Sequence, residues 1–201
     1  MFKQIFKELR EHAPFTVFGA FTGIIVMLIF SNLSPATSYH VFYTLHPIHV
    51  VLSALVTVSM YELHQKGKVK LGMLVVVGYV GSIGIATLSD SILPYLGEIL
   101  LRLPNRGIHI GFIEEWWLVN PLAFAGIAIA YFRPTTKFPH FGHVLLSTWA
   151  SLFHMIMAAG EPLGWFSYLV VFLFLFLAVW IPCCLSDIIF PLLLVKEKGK
   201  A

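Results

Sequence analysis

The chain is predicted to be an all-α polytopic membrane protein with six transmembrane helices arranged as two inverted three-helix repeats. Three observations lead there: a composition too apolar for water, a histidine motif that occurs twice, and an odd number of spans between the copies. Of 201 residues, 58% are hydrophobic, 11% are charged and 18 are Phe, with a mean hydropathy of +0.85. A water-soluble domain of that composition would lack the polar surface to cover itself.

The repeated motif is His46-Pro47-Ile48-His49-Val50-Val51-Leu52-Ser53, which returns as His140-Phe141-Gly142-His143-Val144-Leu145-Leu146-Ser147. Each copy is followed by the same second element, Ser89-Asp90-Ser91-Ile92-Leu93-Pro94 and then Ser186-Asp187-Ile188-Ile189-Phe190-Pro191. A weaker match, Ala20-Phe21-Thr22-Gly23-Ile24 and Ala123-Phe124-Ala125-Gly126-Ile127, precedes each. Self-similarity over this length marks a duplicated structural unit.

Taken in order, residues 1–12 read as a cytoplasmic amphipathic lead, with Phe2, Ile5, Phe6 and Leu9 available to one face. The first repeat, 13–98, holds spans near Pro14–Phe30, Leu45–Leu63 and Leu71–Leu96, with Ser31–Thr44 as an uncharged connection. Residues 99–116 read as an outer interfacial connection carrying a short helix around Ile108–Trp117, whose tryptophans suit the headgroup zone. The second repeat, 117–195, holds spans near Trp117–Phe132, Phe141–Ala159 and Leu163–Val195, the last with Pro182 as a kink or break. Residues 196–201 are a cytoplasmic tail. Gly78, Gly81, Ser82 and Gly84 give the third span a smooth packing surface.

Eleven basic residues, in segments at Lys3–Arg10, Lys66–Lys70, Arg133–Lys137 and Lys196–Lys200, fall on one side, and Arg102 and Arg106 alone fall opposite. The positive-inside rule then puts both termini in the cytoplasm, and the expected location is the cell inner membrane. Three spans per copy make the halves cross in opposite directions, as in transporters built from inverted repeats. The basic residues face lipid headgroups, and no nucleic-acid module is present.

The chemistry is expected to reside in His46, His49 and Asp90 near the outer ends of spans two and three, and in His140, His143 and Asp187 near the inner ends of spans five and six. Residues three and four apart share a helix face, so His46, His49, Ser53 and Thr57 form one polar stripe. His140, His143, Ser147, Ser151 and His154 form the other. Such a stripe must face protein, because hydrocarbon penalises it. Two imidazoles and a carboxylate supply three ligands to a divalent metal ion, zinc or iron, and leave a position open. Pro94 and Pro191 lie four residues beyond the aspartates, where they free helix carbonyls.

His109, Glu114 and Glu115 make an outer acidic patch near Glu98, read chiefly as a solvated interface, and Cys183 is read chiefly as a small buried side chain. The favoured function is a divalent metal cation transporter. The same residues would serve an intramembrane metal-dependent hydrolase, a haem-binding electron-transfer protein or a structural membrane subunit. No phosphate-binding glycine loop is present, so nucleotide hydrolysis would need an energising partner subunit, and a homo-oligomer is a further expected assembly.

Overall fold

A computed structural model describes residues 2–30, 32–65, 69–135, 137–160, 163–185 and 189–195, with the side chains of 2–9, 11, 12, 137–140, 184 and 192 outside the described part. The described residues form helices and connections, without a strand. In order, α1 is Phe2–Phe30, α2 Pro35–His64, α3 Leu71–Thr87, a π-helical turn follows at Leu88–Ile92, and α4 is Leu93–Leu101. Then come α5 Gly111–Glu114, α6 Trp116–Phe132, α7 Lys137–Ala159, α8 Trp165–Cys184 and α9 Phe190–Leu193.

Among the described residues five helices are long and apolar enough to cross a membrane: Ala13–Phe30, Pro35–His64, Leu71–Leu101, Phe141–Ala159 and Trp165–Cys183. The apolar helix Trp116–Phe132 is shorter, at 17 residues. Polarity is inside-out relative to a soluble bundle. Phe18, Phe21 and Ile29 of α1 are exposed, as are Trp116, Trp117, Trp165 and Phe166 at the starts of α6 and α8, while histidine, serine and acidic side chains fill the centre. Tryptophan at helix ends is the expected anchor to a headgroup layer.

Several helices are longer than the sequence pattern indicates. The expected lead is the opening of α1, which runs unbroken through Pro14. α2 begins ten residues before Leu45, because Ser34 caps it by accepting the Thr37 amide at 3.1 Å and Pro35 occupies the first turn. The residues read as a connection are therefore helical, and His46 and His49 move from a helix end to mid-helix. Likewise α4 continues to Leu101 and stops at Arg102, whose backbone is left-handed at φ 54°, so Asp90 and Glu98 both lie inside the spanning segment. The outer helix is one turn, Gly111–Glu114. Pro182 sits inside α8 without dividing it.

Helix α2 packs most closely on α7 and α6, and α7 also receives α1. The packing is reciprocal: α1 lies on α7 and α8, and α6 lies on α2 and α3. Small residues allow this closeness. A Cβ on Gly126 of α6 would collide with the backbone carbonyl of Val51 and come within 2.9 Å of Ala54 Cβ, so only glycine lets α6 seat on α2 there.

Replacing Gly126 by Ala forces a backbone to move, and thermal unfolding in detergent is expected to show a loss of about 1–3 kcal/mol. Gly84→Ala meets nothing within 4 Å and should instead be neutral or stabilising by up to about 1 kcal/mol through helix propensity.

Candidate metal centre

The centre is built where two backbone irregularities meet. Pro94 has no amide to offer the carbonyl four residues back, and its ring crowds that carbonyl. The helix answers by widening into the π turn at Leu88–Ile92, in which the Leu93 amide bonds to the Leu88 carbonyl. That shift leaves the Ser89 carbonyl without its helical partner, and Ser151 Oγ of α7 takes it at 2.9 Å. The wide turn also buries three consecutive polar residues, Ser89, Asp90 and Ser91, completely. Widened turns of this kind recur at functional sites.

Asp90 is the focus. Its Oδ2 receives His46 Nδ1 at 2.9 Å and His49 Nδ1 at 2.6 Å, and its Oδ1 receives Ser89 Oγ and Ser147 Oγ, both at 2.7 Å. An ionised carboxylate in hydrocarbon costs several kcal/mol unless its lone pairs are engaged, and four donors engage them. The two histidines reach one oxygen because they lie three residues apart on α2 and share its face. On the far side of His46, a Cβ on Gly111 would lie 2.5 Å from Nε2, so the outer connection closes down on this ring only because residue 111 is glycine.

As hydrogen bonds, these contacts point both Nδ1–H groups at Asp90. With those protons gone, His46, His49 and Asp90 are three ligands whose donor atoms lie within 4.8 Å of one another. Tetrahedral zinc sets its ligand atoms about 3.3 Å apart, so the 2.9 and 2.6 Å spacings to Asp90 Oδ2 would have to open by about 0.4 and 0.7 Å.

His49 belongs to a second group. Its ligand atoms, those of His143 on α7 and those of Cys183 on α8 also lie within 4.8 Å of one another, and all three residues are buried. The His49 and His143 rings stack at 5.7 Å with planes 29° apart. Asp90 holds His49 Nδ1, and His49 Nε2 is buried with no hydrogen-bond partner among the described residues. A carboxylate on one ring nitrogen and a lone pair on the other is the arrangement that orients metal-binding histidines.

The placement of the expected residues is thus mixed. His46, His49 and Asp90 come together as the sequence indicates, yet at mid-helix and not at the outer ends. His143 is not in a separate inner group: it lies beside His49, and Ser147, one turn on, bonds Asp90. The His140 side chain and Asp187 lie outside the described residues. Cys183, read chiefly as a small buried side chain and alternatively as a soft ligand, stands with two imidazoles.

Glu98 is the larger surprise. Expected in the outer patch, it is fully buried and pairs with His154 Nδ1 at 2.5 Å, while Oε2 accepts the Gly107 amide at 3.2 Å. The missed signal was a carboxylate four residues beyond Pro94, which a span ending at Leu96 had pushed outside. In the connection between α4 and α6, Glu114 Oε2 accepts Tyr43 OH at 2.7 Å and His109 Nδ1 at 3.1 Å, and Oε1 accepts the Ile110 amide at 3.1 Å. His64 is exposed, its Nδ1 donating to the Met60 carbonyl at 2.9 Å, and its neighbour Lys66 is outside the described residues.

Partial burial raises the Glu114 pKa, but the bonds from Tyr43, His109 and the Ile110 amide outweigh it and hold the carboxyl below the usual carboxylate range. A depressed folded-state value means the contact stabilises above the unfolded pKa and is lost as pH falls through the folded one. Amide exchange at Ile110 should therefore stay protected from neutral pH down through the ordinary carboxylate range and rise only below it.

For the buried centre, zinc titration calorimetry is the measurement. Asp90→Asn is expected to weaken binding by about 10- to 100-fold, and His49→Gln, which strikes both groups, should weaken it more than either His46→Gln or Cys183→Ser.

The structure therefore holds two buried ligand groups, His/His/Asp and His/His/Cys, that can bind a metal ion within an integral membrane bundle. Comparison with protein-family models, curated proteins and solved structures found no match.

Proposed function

We propose that this chain carries a divalent cation, zinc ahead of iron, across the membrane by passing it between two adjoining ligand groups. The observation that carries the reading is the sharing of His49: one imidazole adjoins Asp90 and His46 on one side and His143 and Cys183 on the other. Passage from one set to the other takes a cation from the Nδ1 edge of the His49 ring to its Nε2 edge, a short step between two buried ligand groups. Imidazole, carboxylate and thiolate together suit borderline-soft zinc better than a hard ion such as magnesium.

Transport by two oppositely inserted three-helix halves is supported by the reciprocal packing of α1 and α6 on each other's halves. It is supported also by recurrence of π-helical backbone at Leu185 and Ile189, which flank the second Ser-Asp element. The distribution of basic residues favours both termini in the cytoplasm. A hydrolase would need a water position and a route for substrate. Here the ligating residues are at most 2% exposed and both Asp90 oxygens are engaged, which favours a carrier. A haem would need a flat slot between axial rings, whereas His46 and His49 converge on one oxygen.

In sealed vesicles holding the purified full chain and a zinc-sensing dye, influx should saturate with zinc. Asp90→Asn and Asp187→Asn should each slow it by at least about tenfold, with unchanged helical circular dichroism and elution volume. Undiminished flux in correctly folded Asp90→Asn vesicles sinks the carrier reading.

A further inference from the structure

We infer that Glu98 and His154 form a proton-binding site, separate from the metal ligands, that exchanges protons with the outer aqueous face through His109 and Glu114 and couples metal movement to a proton gradient. This rests on the carrier reading given above and adds its energy source.

The pair is fully buried and held by a single short bond, His154 Nδ1 to Glu98 Oε1 at 2.5 Å. With a neutral imidazole the pair carries a net charge of −1, and one added proton brings it to zero. A net charge buried in a membrane bundle is costly, and one proton on the pair would remove it. His154 Nε2 is buried without a hydrogen-bond partner among the described residues, a vacant position on the far edge of the ring for an arriving proton.

Ring contacts lead from the pair toward water. The His154 ring meets the His109 ring edge-on at 5.3 Å. His109 Nδ1 contacts Glu114 Oε2 at 3.1 Å, and these two side chains are 24% and 34% exposed, so solvent reaches both. Arg102 and Arg106 on the same connection are exposed.

The route stops short of the metal ligands. Phe42 of α2 stacks on His46 at 5.2 Å and meets His154 edge-on at 5.4 Å, an apolar ring between the proton pair and the Asp90 centre. The other groups around the pair are few. From α2, Tyr43 is held by Glu114. From the connection, the Gly107 amide bonds Glu98. α8 sets Phe174 against Gly97, and between Trp165 and Cys184 it has no Asp, Glu, His, Lys or Arg. Glu98 is therefore the carboxylate, and His154 the imidazole, that must take up the charge change at this depth.

The test uses the purified full chain in vesicles carrying a zinc dye and a pH dye, with Glu98→Gln as the variant because it keeps shape and hydrogen bonding. Wild type should move protons opposite to zinc, and an imposed pH gradient should change its zinc flux several-fold. In Glu98→Gln the gradient response should vanish, with the zinc dissociation constant within about twofold of wild type by calorimetry. Infrared difference spectra between acid and neutral pH should show a carboxylic acid band in wild type that Glu98→Gln lacks, a readout that needs no transport. His109→Phe should keep the band and slow its pH response.

Zinc flux that persists in Glu98→Gln with its full gradient response overturns the coupling and leaves the carrier reading standing. Absence of the band in wild type overturns the proton site itself. Absence of zinc flux in wild type overturns the carrier reading and the coupling with it, whatever the band shows.

Discussion

The structure depends on one ionised group that must be kept in an apolar interior. Asp90 is surrounded by four donors drawn from three elements: His46 and His49 from α2, Ser89 from its own π turn, and Ser147 from α7. Each hydrogen bond to a charged group contributes roughly 1.5–3 kcal/mol, so the set offsets a cost of several kcal/mol for placing the carboxylate in the bilayer. The helices are held in register by that need. Removing one donor leaves a buried charge short of a partner, which is costlier than losing a surface contact.

From this follows the odd local geometry. A regular α-helix would keep the Ser89 carbonyl in its own ladder, but the π turn releases it to Ser151. In the π register the Ser89 carbonyl would look to the amide of residue 94, which proline lacks, so Ser151 is its donor. Ser151 Oγ also lies 2.7 Å from the Ser147 carbonyl, so α7 is tied to the third segment at both the carboxylate and the backbone. These contacts join α2, the third segment and α7, so His46 and His49 of one motif copy and Ser147 of the other meet at one carboxylate.

The sequence made the apolar spans, the His46–His49–Asp90 association and the inward-facing serine stripe legible, because periodicity and polarity determine which side of a membrane helix is buried. It did not reveal depth. Ser34-Pro35 is a helix-start signal, and a span opened at Leu45 instead of there puts the histidines at an end. Glu98 was misplaced for the same reason: a carboxylate near a run of leucines reads as a boundary until its partner His154, 56 residues away, is seen to reach it. Nor could spacing show that Cys183 on the eighth helix stands beside His49 and His143, since neither periodicity nor pattern relates residues so far apart.

The separation between the two carboxylates decides whether the proposed coupling needs a large motion. Asp90 and Glu98 lie eight residues apart on one helical segment, about 12 Å at 1.5 Å per residue. Two unit charges at that distance interact by about 1.4 kcal/mol at an effective dielectric of 20, and a dication beside Asp90 would act on a charge at Glu98 by about twice that. Salt screening is weak inside the bundle, and the Phe42 ring lies against both His46 and His154. A cation held by Asp90 therefore disfavours the proton on Glu98 through the field alone, and a proton there disfavours the cation equally, by the reciprocity that linkage requires. Moving Glu98 two turns closer would fuse the sites into one competing ligand set; moving it two turns further would halve the coupling.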